Sequence, residues 1–209
     1  MRNQIITFAA LACVGAANHK PAAAEGRAEA ATTSKLFMDV HELGPGKVRA
    51  EDVAGAHQKD LALGGKYGVR YKAYWVDEKA GRIHCLGEGP SAQALHTVHQ
   101  QAHGLVANRI MEVTADNATW TPTAGMKLYF DVHHVGAGKV TAKDVADAHK
   151  KDLAVEAKHQ VKYLNYWFDA ASGTIMCLAE APSAEAALAV HREAHGLMPE
   201  SIEEVTEGR

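Results

Sequence analysis

Asp39 and His41 stand two apart at the end of the run Lys35–His41, and Asp131 and His133 stand two apart in the matching run Lys127–His133. On strands, each carboxylate and its imidazole would share one face. His99 and His103, and again His191 and His195, are four apart. On a helix that spacing stacks two imidazoles on one side, where both can reach one ion. His57 with Asp60 and His149 with Asp152 are three apart, close enough to bracket an ion or to hydrogen-bond each other. Such a mixture of nitrogen and oxygen donors suits divalent Ni, Zn, Co or Cu rather than a thiolate-selective ion. Plainer readings stand beside each. His57, between Val53 and Leu61 at helical spacing, also reads as a core histidine. The His99/His103 pair also reads as a solvated helix end, where imidazolium is favoured. Trp75 and Trp167 read as core or interface aromatics, or as the wall of a ligand pocket.

The elements that must position these groups occur twice. A shift of 92 positions aligns Leu36–Val113 with Leu128–Val205 without a gap, and 42 of the 78 pairs are identical. Most of the 13 histidines fall at paired positions, although His84 and His96 are replaced by Met176 and Leu188. In the first copy the patterns predict a strand at Lys35–Glu42 and a helix from Glu51 to Lys66 carrying Val53, His57 and Leu61 on one stripe. The Gly64-Gly65 pair weakens that helix's end. A hairpin of Val69–Asp77 and Arg82–Glu88 follows. A second helix is capped by Ser91, shows a stripe at Ala94, Val98 and Ala102, and stops at Gly104; a last strand covers Arg109–Thr114. The order βαββαβ is the ferredoxin-like arrangement, with both helices on one face of a four-stranded antiparallel sheet. Its other face, bearing Phe, Trp and Tyr, needs a cover. The fold class is therefore α+β: two tandem ferredoxin-like modules packed sheet to sheet as a pseudo-dimeric barrel, with two separate beads as the alternative. In this topology His41, Tyr74, Trp75, His84, His99 and His103 gather at one end, whereas Glu88 lies on the order of 15 Å away at the other.

The expected domains are a signal peptide at 1–24, a tether at 25–34, module 1 at 35–114, a linker at 115–126 and module 2 at 127–207. Arg2, the apolar run Ile5–Ala17 and Ala22-Ala23-Ala24 form the export pattern, so the protein is expected to be periplasmic or secreted. The apolar run is too short to span a bilayer, and no later segment predicts a membrane span. Lipidation at Cys13 is the weaker reading. Cys85 and Cys177 occupy equivalent positions, as a disulfide of an exported protein or as small buried thiols. A formal charge of -3 and the lack of any basic block or phosphate-binding loop argue against nucleic acid as a partner.

Met-Asp-Val-His in the first strand, Ala-His-x-Lys-Asp-Leu in the first helix, Tyr-Trp in the second strand, and Pro-Ser-Ala with His-x-x-x-His-Gly in the second helix resemble a family of small nickel-binding, ferredoxin-like proteins. The resemblance covers about Lys35–Val113 and Lys127–Val205. It implies a homodimeric sheet-packed architecture, here made covalent and monomeric, and a nickel site. By matching positions, the candidate ligands are Asp39, His41, His57, His99 and His103, repeated as Asp131, His133, His149, His191 and His195. Two rival readings remain at this level. One is a small-ligand enzyme of the dimeric α/β-barrel type, oxygenase-like or decarboxylase-like, in which Trp75 and His41 share a deep pocket. The other is a non-catalytic structural module with incidental histidines.

Overall fold

The computed structural model of the chain describes residues 33–116 and 119–209. The first βαββαβ unit comprises β1 (Lys35–Glu42), α1 (Ala50–Gly64), β2 (Arg70–Asp77), β3 (Arg82–Gly89), α2 (Ala92–Ala102) and β4 (Arg109–Glu112). A short β5 (Thr114–Ala115) leads to the second: β6 (Leu128–His134), α3 (Ala142–Val155), β7 (Lys162–Asp169), β8 (Thr174–Glu180), α4 (Ala184–Ala194) and β9 (Ser201–Gly208). The expected signal peptide, Cys13 and most of the tether lie outside the described residues. Among the described residues no helix is long and apolar enough to cross a membrane.

The strands form one antiparallel sheet in the order β4-β1-β3-β2-β9-β6-β8-β7-β5. The last strand of module 1 departs from the expected single run Arg109–Thr114. It breaks at Val113: β4 pairs with β1 of its own module, while β5 crosses to pair with β7 of the other (Thr114↔Phe168). At the opposite seam β9 does both jobs, pairing with β6 and then with β2 through Thr206–Gly208. Each module thus lends its last strand to its twin, and the sheet curls into a nearly closed barrel with few free edges.

Period-two alternation sorts the strand residues onto two faces. Met38 and Val40 point into the barrel, joining Trp75, Leu86, Phe130, Trp167 and Leu178 in one shared core, with the Trp75 and Trp167 rings 4.8 Å apart. Phe37, Asp39 and His41 point to the helices. A β-bulge in β2 between Tyr71 and Ala73 re-phases that strand. Tyr71 and Tyr74, three apart, both reach the helix side, while Trp75 stays in the barrel. Module 2 repeats the bulge between Tyr163 and Asn165.

The helices differ from expectation in their stripes. In α1 the buried line is Val53, His57, Asp60 and Gly64, and Leu61 is 43% exposed. Positions 53, 57, 60 and 64 follow the 3.6 period and Leu61 lies one residue past that line, so a carboxylate occupies the place expected for the leucine. The helix ends at Gly64, where a Cβ would stand 2.6 Å from the Val69 carbonyl oxygen, and Gly65–Tyr67 follow as a 3-10 turn. In α2 the buried residues are Leu95, Val98 and His99, rather than an Ala94/Val98/Ala102 line. Ser91 caps α2 by accepting from the Ala94 N–H, as Ser183 caps α4 from Ala186.

Candidate metal centre

Between sheet and helices of module 1, three elements bring their polar groups to one point. β1 supplies Asp39 and His41, α1 supplies Asp60, and the last turn of α2 supplies His99 and His103. The His99 ring lies between two carboxylates. Its Nε2 is 2.9 Å from Asp39 Oδ2 and its Nδ1 is 3.2 Å from Asp60 Oδ1. His103 Nε2 is 3.2 Å from Asp60 Oδ2, and His41 Nε2 is 3.6 Å from Asp39 Oδ1. The Tyr71 hydroxyl lies 3.1 Å from His99 Nε2. Module 2 repeats this with His191 3.2 Å from Asp131 and 3.1 Å from Asp152, and His133 3.2 Å from Asp131. In each module two overlapping groups have donor atoms within 4.8 Å of one another. They are Asp39, His41 and His99, and Asp60, His99 and His103; in module 2 Cys177 joins the first group.

These charges are buried, and that sets their protonation. Burial opposes ionisation of Asp39, yet the neighbouring His41 imidazole and the hydrogen-bonded His99 overcome it and hold its pKa down to about 2. Asp131 is held to about 2 in the same way. Burial also opposes the charge on His99, but Asp39 and Asp60 together push it up to about 10, and Asp131 and Asp152 push His191 up to about 9. Without a cation the centre is therefore an imidazolium clamped between carboxylates. Burial lowers the pKa of His57 and of His103, favouring their neutral, ligating forms. Burial raises the Cys85 thiol well above its usual range, and the neighbouring Asp39 charge adds to that.

The donor set fits a divalent cation on structural grounds. Among the described residues, Asp39 Oδ1, His41 Nδ1 and His57 Nε2 are buried without a hydrogen-bond partner, as are Asp131 Oδ1, His133 Nδ1 and His149 Nδ1. An unpaired buried polar atom costs about 1–3 kcal/mol, so both centres are short of a positive or donating group. A cavity of about 250 Å³ borders the module 1 centre, touching His41, His57, Asp60, His99 and His103. The equivalent space in module 2 is about 30 Å³.

Of the residues singled out in the sequence, Asp39, His41, His99 and His103 come together within module 1, as do their repeats within module 2. His57 and His149 line the same spaces but lie outside the tight groups, packed on Tyr74 at 4.8 Å and Tyr166 at 4.9 Å. Asp60 and Asp152, which the spacing pairs with His57 and His149, lie instead in tight groups with His99 and His103 and with His191 and His195. The available signal was an acid repeated in both copies on the apolar stripe of a helix. Cys85 and Cys177 are free and buried, each opposite an aspartate in the strand register, in keeping with the buried-thiol reading rather than the disulfide. Trp75 and His41 lie on opposite faces of the sheet, so the shared pocket of the enzyme reading is not formed.

The comparisons with known proteins follow the same lines. The sequence profile of the family described as "Nickel responsive protein SCO4226-like" matches residues 37–113 and again 129–205. The crystal structure of SCO4226 from Streptomyces coelicolor A3(2) is 42% identical over the matched part, covering 37% of this chain and 93% of that one, with a TM-score of 0.35. A candidate monooxygenase from Lactobacillus acidophilus NCFM covers 83% of this chain and 93% of its own, at 8% identity and a TM-score of 0.49. An anthrone oxidase-like protein covers 84% and 92%, at 9% identity and 0.45. No curated protein matches the chain. With both modules matched and both carrying the same carboxylate and imidazole cluster, the chain belongs to the nickel-responsive SCO4226-like family, written as a tandem duplication.

Proposed function

We propose that this protein binds nickel, one ion in each module, and that the innermost group, Asp39, His41 and His99 with Asp131, His133 and His191, supplies the ligands. The observation that carries this is the orphaned Asp39 Oδ1 with His41 Nε2 3.6 Å from it, beside a His99 nitrogen that neutral imidazole can offer to a cation. A neutral imidazole has one lone pair to give and one N–H to place. With Nε2 toward the ion, Nδ1–H donates to Asp60, the carboxylate behind the histidine that fixes ring orientation at many metal sites. His103 then supports Asp60, and His57 bounds the cavity. Zn, Co and Cu in their divalent states suit the same donors. The export pattern at the N-terminus and the internal pairing of modules support an exported protein acting as a monomer.

Calorimetric titration of metal-free, untagged protein with Ni²⁺ tests the reading. The expected result is two ions per chain, reduced to one by Asp39→Ala/His41→Ala and to none when Asp131→Ala/His133→Ala is added. His103→Ala/His195→Ala should weaken binding without changing the count. If the His103/His195 pair abolishes binding and the strand variants leave it intact, the ion belongs instead with Asp60.

A further inference from the structure

One end of the barrel opens into a cavity of about 520 Å³ that straddles the axis relating the two modules. Its walls come in equivalent pairs. Glu42 and His134, Arg82 and Thr174, and His84 and Met176 occupy matching positions of the two copies. So do Asn108 and Glu200, and Arg109 and Ser201. All of these differ, and among the paired wall residues only Val40 and Val132 agree, against 42 identities in 78 pairs over the modules. The aspartates and histidines of the two metal centres agree throughout. The duplication has kept two equal centres on the helix side of the sheet and lost its symmetry at the axis. A homodimer cannot do this, because an isologous interface presents every residue twice.

The diverged residues leave unspent hydrogen-bonding capacity. His84 is 3% exposed and stacks on Phe130 with ring centroids 4.3 Å apart, and neither of its ring nitrogens has a partner among the described residues. An imidazole carries at least one N–H, so the ring keeps an unsatisfied donor and a second unsatisfied polar atom buried at the cavity wall. Arg82 is committed to Glu203, and His134 pairs with Glu200 at 2.7 Å. Among the described residues Arg109 has only Glu42, at 3.9 Å, beyond hydrogen-bond reach. Its planar fork is free to take a carboxylate in two parallel bonds.

We propose that this axial cavity is a second ligand site, separate from the metal centres, taking one small organic acid per chain. The carboxylate lies on Arg109, a polar substituent reaches His84, and the apolar body packs on Val40, Val132, Met111 and Met176. The volume falls within the range of small-molecule sites, about 300–1,000 Å³.

Salicylate, which carries a carboxylate and a hydroxyl on one ring, is the probe, with uncharged benzamide as its control. Calorimetry on the full chain should give saturable binding of one salicylate, and benzamide should bind at least about tenfold more weakly. Arg109→Ala should weaken salicylate about tenfold or more. His84→Met, the residue module 2 already carries at that position, should do the same while leaving Ni²⁺ stoichiometry at the wild-type value. Non-saturating heats, two molecules per chain, equal binding of benzamide, or unchanged affinity in both variants would each overturn the proposal. None of these outcomes bears on the nickel reading.

Discussion

His99 lies between two buried carboxylates, Asp39 and Asp60, and bonds to both. Truncation to alanine leaves Asp39 and Asp60 facing across a gap, each 3% exposed or less. Removing one partner from a buried charge cluster costs about 3–5 kcal/mol. Urea denaturation of metal-free His99→Ala should show a loss of that order, and a loss below about 1 kcal/mol would mean the carboxylates are protonated rather than paired. The pH dependence has two limbs. Asp39 and Asp131 are lowered to about 2, so their contribution is complete above the ordinary aspartate value and is lost as pH falls toward 2. His99 and His191 are raised to about 10 and about 9, so theirs is complete below the ordinary histidine value and fades as pH climbs toward those values. Thermal melts of the metal-free protein should therefore be highest between about pH 4 and 6.5. Nickel affinity should run the other way at the alkaline limb, rising by about tenfold per pH unit for each imidazolium proton displaced, as competition titrations at several pH values would measure.

At the scale of elements, the β-bulge in β2 decides what the centre is made of. With all its residues but no bulge at Lys72, β2 would put Tyr71 and Tyr74, three apart, on opposite faces, and either the hydroxyl beside His99 or the ring beneath His57 would be lost. Deleting Lys72 leaves the two tyrosines two apart on a regular strand, hence on one face, so the count should stay at two nickel ions per chain; a count of one would show that the bulge itself, rather than the shared facing of the tyrosines, shapes the module 1 site. Helix positions, Ser91 as a cap and the hairpins were legible in the sequence because capping and alternation are local. The bulge was not, since nothing in Arg-Tyr-Lys-Ala-Tyr-Trp marks which residue is extra. The Leu61 expectation failed for a related reason. Apolar residues at helical spacing normally mark the buried line, but here tertiary partners for Asp60, namely His99 and His103, let a carboxylate take that line and turned Leu61 to solvent.

For the whole molecule, the barrel core joins the modules through Trp75, Trp167, Phe130 and their neighbours. Full burial of one large apolar side chain contributes about 1.5–3 kcal/mol, so an isolated module could not leave that face in water. Residues 35–116 expressed alone should dimerise at micromolar concentration, whereas the full chain should elute with the mass of a single chain in light-scattering chromatography. A monomeric half-chain would contradict the packing argument. The sequence by itself determined the duplication, the βαββαβ order, the covered sheet face and most of the donor residues, because repeats, alternation and helical spacing are written along the chain. Tertiary structure alone decided that each centre closes within its own module, that Asp60 and Asp152 belong to it, and that the last strands cross between modules. Those outcomes depend on which face each side chain takes after a bulge and on contacts between distant parts of the chain, such as Trp75 with Glu207, 132 residues apart, and no local pattern encodes either.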